Sequence, residues 1–550
     1  MLRKTTYIPM TLLCSSVILS ACGGGGGGSA ALATPASVTP TPSASAPSSL
    51  DDVQPFMIYE TGVFADSDNF ANACENPRSG AAFDDFQGNE LAEKYWLRSW
   101  SHETYLWYDE ITDFSPDNAL DKFDYFDLLK TEALTPSGAP RDQFHFTRST
   151  EEYQQFSQSG VSFGYGAELL FVRNTPPRQL YVAYVEPLSP AANAGMRRGM
   201  RIMEIDGIDL VSTNSSTDIA ALNAALSPDT DGELHTFGVL ASGDPDTGIY
   251  PQLDIAAADI TSSPVLVTDR KVTATGQVGY IAFNDHIATA EAALVEAIAD
   301  MEDNAVTDLV LDLRYNGGGY LAIASQLAYM IAGNAKTSGR IFEKLQFNDK
   351  HPTINPVTQQ SITPNPFYTQ TLGFSLSSGA ALPSLELNRV FVISGSRTCS
   401  ASESIINSLN GIGVQVILIG STTCGKPYGF YPQDNCGTTY FSIQFQGVND
   451  IGFGDYADGF TPINSGETGI SLPGCSVLDD LSKDLGDVTE ARFAAALAYR
   501  DAPGTCPTPP PASSSGAIPI GASDQLSLQT DSQSSFYRNN RLLGVPGETL

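Results

Sequence analysis

Apolar and polar positions follow three different rhythms along this chain. Between about residues 66 and 156, the aromatic-rich stretch NELAEKYWLRSWSHETYLWYDEI sets Leu91, Tyr95, Trp96, Trp100, Tyr105 and Leu106 at helical spacing. That spacing predicts a small helical domain, with the aromatics as core rather than as a peptide-docking face. From Gly160 the rhythm shortens to strands and turns, VSFGYGAELLFV and then QLYVAYVEPLSPAANAGMRRGMRIMEIDGIDL. From about Val265 to Leu497, long apolar runs alternate with helical patterns: VGYIAF, a helix through Thr289 to Met301, LVLDL, a second helix, RVFVI, a third helix, and VQVILIG. Runs that are apolar at nearly every position read as strands buried on both faces, and their alternation with helices predicts an α/β domain. The expected fold class is α/β in a multidomain α+β chain: a helical region, a strand-rich unit, then an α/β core.

The ends carry no such rhythm. Arg3 and Lys4 precede the mostly apolar YIPMTLLCSSVIL, and the segment closes on Leu19-Ser20-Ala21-Cys22 before GGGGGGS. This reads as an export signal too short for a confident membrane span. It resembles a bacterial lipobox, which implies lipidation of Cys22. With Gly23 rather than Asp behind the cysteine, the resemblance implies an anchor in the outer membrane, on the periplasmic side of the cell envelope. The Ala, Ser, Thr and Pro that follow cannot bury a core and predict a mobile tether. After Pro503 the chain turns to PTPPPASSSG and an aperiodic tail, read as disordered. The boundaries expected are a signal at 1–22, a tether at 23–55, a helical domain at 56–158, the strand-rich unit at 159–262, the α/β core at 263–500 and a tail at 501–550.

Composition removes one class of partner. Lys and Arg number 29 against 62 Asp and Glu, a formal charge of −33, so the electrostatic footprint of nucleic-acid binding is missing. With Cys14 lost and Cys22 lipidated, Cys74, Cys399, Cys424, Cys436, Cys475 and Cys506 remain, an even set that suggests disulfides in an oxidising compartment.

Three segments could carry chemistry. In LVLDLRYNGGGY, Leu309 to Tyr320, a buried-strand run is followed by Asn316 and three glycines and then by a helix. Backbone N–H groups in such a loop can face an anion, and without the lysine and hydroxyl of a nucleotide loop an oxyanion is the better guest. In TCSASESIINSL, Ser400 stands at a strand-to-helix junction, where α/β proteins place reacting groups. Ser400-Ala401-Ser402-Glu403 is also a capping-box pattern, so Ser400 has a purely structural reading as an N-cap. In STTCGKPYGF, Lys426 lies just past the end of the next strand, in a setting equivalent to that of Ser400. Adjacent parallel strands would bring the two side chains together. A serine hydroxyl needs a base, and a lysine becomes one when burial disfavours its charge.

Two resemblances follow from these residues. Val185 to Gly207 (VEPLSPAANAGMRRGMRIMEIDG) resembles the core of a PDZ domain, which implies a peptide-binding strand edge and a carboxylate loop at Gly164, Tyr165 and Gly166. The Asp-Leu-Arg-x-Asn-x-Gly-Gly, Ser-Ala-Ser-Glu and Gly-Lys segments, in that order behind the PDZ-like stretch, resemble the C-terminal processing peptidases, or tail-specific proteases. The resemblance covers roughly residues 160 to 500. It implies a serine endopeptidase with Ser400 as nucleophile, Lys426 as general base, and the N–H groups of Gly318 and Ala401 as the oxyanion hole, Gly317 being the close rival of Gly318. It implies a polypeptide substrate, a membrane contact through the lipid at Cys22, and no metal or organic cofactor.

The chain departs from that family where a glutamine often follows the lysine by four residues; here the place holds Phe430, leaving Gln433 and Asp434 as guesses for the group that orients Lys426. A disulfide from Cys424 to Cys399 or to Cys436 would fix the loops around the site. Two rival readings stay open: a PDZ adaptor with a degenerate peptidase fold, and an esterase using the G-x-S-x-G at Gly160 to Gly164 with Ser162 and one of His235, His286 or His351. The second needs a helix after the serine, and AELLFV there reads as strand. The acidic turn Asp229 to Glu233 lacks the ligand spacing of a calcium loop.

Overall fold

The computed structural model describes residues 46–80, 82–507 and 541–542. The signal, Cys22, nearly all of the tether before residue 46 and most of the tail lie outside the described residues. No helix among the described residues is long and apolar enough to cross a membrane.

The apolar runs of the C-terminal half become one sheet. Its strands run in the order Val265–Thr273, Gly276–Phe283, Val306–Asp312, Arg389–Ser394, Gln415–Gly420 and Gly474–Ser476. The first pair is antiparallel and every later pair parallel. Successive side chains on a strand point to opposite faces, and both faces are covered. Ile281, Leu309, Leu311, Val390, Val392, Val416 and Leu418 pack with residues of the helices Ala290–Asp303, Leu321–Ala332 and Ala401–Gly411. Tyr280, Val310, Phe391, Ile393, Ile417 and Ile419 pack against Phe493, Ala495 and Ala496 of Ala491–Asp501. This two-sided burial is why these strands read as continuous rather than alternating apolar runs. The α/β class is as expected.

The strand-rich stretch folds as an antiparallel sheet in the order Gln252–Ala256, Leu234–Leu240, Arg201–Ile205, Gln179–Val185 and Ala167–Arg173, with Ile208–Asp209 paired to Arg201–Ile205. One face is closed by the helix Ser216–Leu226, whose Ile219 and Leu222 join Leu180, Val182, Ile202 and Phe237. Ala167–Arg173 is therefore an edge strand. Ser162 sits within Val161–Gly164, paired with Ile260 of Ala258–Thr261. Strand rather than helix follows Ser162, so the elbow that an esterase nucleophile requires is not formed. His235 is engaged with Asp206 and Glu233, and His351 with the Glu103 carbonyl.

The N-terminal aromatics form a core as expected, on the helix Glu90–Thr104 with Asn89 as its N-cap. The rings of Trp96 and Trp100 stack at 5.1 Å. This region is stitched into the C-terminal half. Phe146–Ser149 pairs with Thr438–Phe441, Tyr440 enters the tryptophan core, Arg78 bonds Asp434 at 2.6 Å, and Cys74 is disulfide-bonded to Cys436. The remaining disulfides are Cys399–Cys424 and Cys475–Cys506, so of the two pairings open to Cys424 the one with Cys399 forms. In the tail, Arg541–Leu542 pairs in parallel with Gly319–Tyr320.

Replacing Cys74 and Cys436 together by serine is expected to lower stability by about 2–5 kcal/mol, measured as a shift in the denaturant midpoint under oxidising conditions. An unmoved midpoint would mean that strand pairing alone holds the N-terminal region in place.

Candidate active site

The nucleophile candidate is built by the chain reversal at the end of Arg389–Ser394. Ser400 is fully buried and has φ 59°, ψ −116°, a strained conformation for a residue with a side chain. It is also the N-cap residue of Ala401–Gly411, so the structural reading of the motif and the chemical one apply to the same residue. Its hydroxyl makes no hydrogen bond among the described residues. What fixes the turn is Glu403, whose Oε2 accepts from the Ser400 N–H at 3.0 Å.

The same carboxylate holds the loop of the candidate base. Glu403 Oε2 accepts from the Lys426 N–H at 2.8 Å, and Oε1 accepts from the Gly425 N–H at 2.9 Å and the Thr423 hydroxyl at 2.5 Å. The Cys399–Cys424 bridge joins the two loops covalently, one residue before Ser400 and two before Lys426. Burial raises the Glu403 pKa, and the four donors oppose that rise. The sequence showed Glu403 only as a helix cap; its service to a second loop needs the parallel neighbour Gln415–Gly420 to be in place.

Lys426 is fully buried, and its Nζ has no hydrogen-bond partner among the described residues. Burial pushes its pKa well below the ordinary lysine value, against a smaller upward pull from Asp142 and Glu403. The amine faces two rings, Phe430 at 4.2 Å and Phe144 at 4.9 Å from their centres. Neither guess for an orienting group is in that place. Asp434 is bonded to Arg78 and Thr150, and Gln433 lies beside it on the strand Gln433–Asn435, paired with Tyr440. Phe144 and Asp142 come from a stretch with no helical or strand rhythm, which is why periodicity did not single them out.

The glycine loop packs against both. Arg314 is wholly buried and bonded to Asp312, Asp479 and Glu490 at 2.7–3.0 Å. Arg198, from the antiparallel-sheet unit, bonds Asp479 and the Tyr315 hydroxyl, each at 2.6 Å. The Asn316 carbonyl accepts from Cys399 N–H and the Ser402 hydroxyl, each at 3.1 Å, which sets the glycines beside Ser400. Asn316 Oδ1 accepts from the Gly318 N–H at 2.9 Å, so in this structure that group is turned toward Asn316. His286 supports the loop from behind: its Nδ1 lies 3.0 Å from Asn316 Oδ1, and burial lowers its pKa to about 3, keeping the ring neutral. A Cβ on Gly319 would stand 2.5 Å from the His286 carbonyl oxygen, so the third glycine is required by close approach.

The Gly164-Tyr165-Gly166 turn leads into the edge strand. Gly166 has φ 79°, and its carbonyl accepts from the Glu186 N–H at 2.8 Å, while the Tyr165 hydroxyl donates to the Ala225 carbonyl at 2.8 Å. The edge strand also reaches the turn that carries Ser400: Arg397 is ion-paired with Glu168 and donates to the Leu169 carbonyl at 3.0 Å.

A buried serine and a buried, charge-poor lysine on neighbouring strand ends, tied by one carboxylate and flanked by a glycine loop, are the parts of an acyl-transfer site. Residues 277–430 match the sequence model of Peptidase family S41. That stretch contains both Ser400 and Lys426 and is similar to the serine-type peptidases of that family. Over 293 residues it is 27% identical to Carboxyl-terminal-processing peptidase 3, chloroplastic, of Arabidopsis thaliana, covering 51% of this chain and 49% of that one. It is 24% identical over 384 residues to Carboxyl-terminal-processing peptidase 1, chloroplastic, of the same plant, covering 68% and 65%. The chain thus spans about half to two thirds of the length of these relatives. A putative S41 protease from Bacteroides fragilis is similar in fold, with TM-score 0.55 and 23% identity over 74% of this chain and 97% of that one.

Glu403→Gln is expected to lower stability by about 2–4 kcal/mol, because a carboxamide turned either way leaves two of the four donors without an acceptor. A denaturation midpoint equal to that of the unaltered chain would remove Glu403 from this role.

Proposed function

We propose that the chain is a serine endopeptidase that cleaves polypeptides through a Ser400–Lys426 dyad. The observation that carries the reading is the Glu403 carboxylate bonded to the N–H groups of both residues. Ser400 Oγ attacks the scissile carbonyl carbon as its proton passes to the lone pair of Lys426 Nζ. The tetrahedral oxyanion is held by the Ala401 N–H at the helix N-terminus and by the glycine loop; such donors contribute on the order of 3 kcal/mol each. The bond between Gly318 N–H and Asn316 favours Gly317 as the loop's donor, unless substrate draws Gly318 away. As the C–N bond breaks, the Lys426 ammonium returns its proton to the leaving amine. Water, deprotonated by the same amine, then attacks the acyl-enzyme and releases Ser400.

The antiparallel unit is read as a PDZ domain presenting C-terminal or unfolded segments, in which Gly164, Tyr165 and Gly166 receive the peptide carboxylate and Ala167–Arg173 takes the peptide as an added strand. A sheet edge to which no other described strand is paired, behind a glycine-rich turn, supports this. Such a strand would meet Arg397 at the Leu169 carbonyl, three residues before the nucleophile. The lipobox-like ending at Cys22 and the glycine run behind it support a lipid anchor and a place in the bacterial envelope, with the tether carrying the folded part away from the membrane.

The test uses the chain without residues 1–28 and follows cleavage of an unfolded polypeptide. Ser400→Ala and Lys426→Ala are each expected to cut the rate on the order of 10³-fold or more with the melting temperature nearly unchanged. An unaltered chain that binds the polypeptide without cutting it would replace this reading by the PDZ adaptor. Activity is expected to fall at acid pH as Lys426 becomes protonated, since a base whose pKa is depressed works only above that pKa.

A further inference from the structure

Among the described residues, the proposed base has no hydrogen-bonded partner to orient it. A lysine ammonium has three N–H donors, yet Lys426 Nζ is buried with no acceptor within reach among the described residues. Burial without an acceptor disfavours the charged form of the amine, so the costly moment is the one in which it accepts a proton. Two features of the N-terminal region meet it there. The Phe144 ring centre lies 4.9 Å from Nζ and that of Phe430 4.2 Å, so the nitrogen lies over two electron-rich ring faces. Beside Phe144 stands Asp142, 2% exposed, with Oδ2 accepting from the Tyr105 hydroxyl at 2.7 Å and Oδ1 from the Phe144 N–H at 2.9 Å. Tyr105 is itself fixed, its oxygen accepting from the Thr131 N–H at 3.0 Å.

Among the described residues no lysine or arginine is ion-paired with Asp142. His145 Nδ1 is 3.9 Å away, but burial lowers its pKa, so it brings no charge. A buried carboxylate facing no cation is unfavourable, and the nearby cation that the reaction creates is the Lys426 ammonium. The other acid acting on Lys426 is Glu403, whose two oxygens are already taken by four donors.

We propose that Asp142 and Phe144, carried by the N-terminal helical region, position Lys426 and favour the ammonium that forms when it takes the Ser400 proton. The proposal rests on the peptidase reading above. It makes the N-terminal region part of the catalytic apparatus, and it assigns to two rings and a remote carboxylate the work left open by the phenylalanine at 430. Stabilisation that exists only once the proton has moved acts on the transition state and not on substrate binding. Loss of either group should therefore lower kcat and leave KM in place.

The experiment compares Asp142→Asn, Phe144→Leu and Phe144→Tyr in the chain without residues 1–28, with kcat and KM followed against pH on an unfolded polypeptide. Phe144→Leu is expected to lose about tenfold in kcat, and Phe144→Tyr, which keeps a ring face, to recover most of that loss. Asp142→Asn is expected to lower the plateau and to move the acidic limb to lower pH, because removing a nearby negative charge weakens the base. A purely structural role would depress activity equally at every pH. A limb that stays in place in Asp142→Asn, or a tyrosine variant as impaired as the leucine one, overturns the proposal. The Lys426 side chain is also titrated directly by NMR of lysine labelled at Cε, with Lys426→Ala to assign its signal. Its midpoint should fall in Asp142→Asn, and an unmoved midpoint overturns the proposal without reference to catalysis. Absence of cleavage by the unaltered chain would count against the peptidase reading alone, since the titration still decides the role of Asp142.

Discussion

One carboxylate holds the centre of this molecule together. Glu403 sits in the first turn of Ala401–Gly411 and accepts hydrogen bonds from donors on two loops that are separate in sequence. Each of those backbone groups, buried alone, would cost about 1–3 kcal/mol, so the two loops cannot drift apart without exposing an unmet donor. The position of Ser400 relative to Lys426 is thus a by-product of satisfying buried hydrogen bonds, and the strained φ of Ser400 is sustained by the same bond. The disulfide between Cys399 and Cys424 adds a covalent limit to a geometry that hydrogen bonding already prescribes.

The glycine loop is fixed by a different means. Arg314 lies in a buried cluster with Asp312, Asp479 and Glu490, and Arg198 brings in the antiparallel unit. Breaking a buried network by removing one partner leaves an uncompensated charge. The loop is therefore held rigid from its strand side while its glycines stay free of side chains on the side of Ser400.

Much of this was legible in the chain. The strands of the central sheet, the junction at Ser400 and the turn at Lys426 follow from local rhythm, because a strand buried on two faces is apolar at most positions. What stayed hidden depends on residues distant in sequence. Asp479, Glu490 and Arg198 lie far from Arg314 in the chain, and no local pattern marks them as its partners. The capping-box motif gave Glu403 one role, while its second requires a neighbouring strand. The separateness of the helical domain was also a local inference. Its aromatic rhythm is complete in itself, but the pairing of Phe146–Ser149 with Thr438–Phe441 and the entry of Tyr440 into its core join it to the far half of the chain.

The bond between Cys74 and Cys436 has a topological meaning as well. At a sequence separation of 362, it closes into one covalent ring the tryptophan helix, the whole antiparallel unit, the glycine loop, Ser400 and Lys426. A single backbone cut anywhere inside that ring opens it without releasing a fragment. Both new ends stay joined through sulfur, and the hydrogen bonds and packing that were not severed continue to hold them in register. Nicking by other hydrolases, or by neighbouring copies of this chain, would then leave an intact assembly of two linked segments.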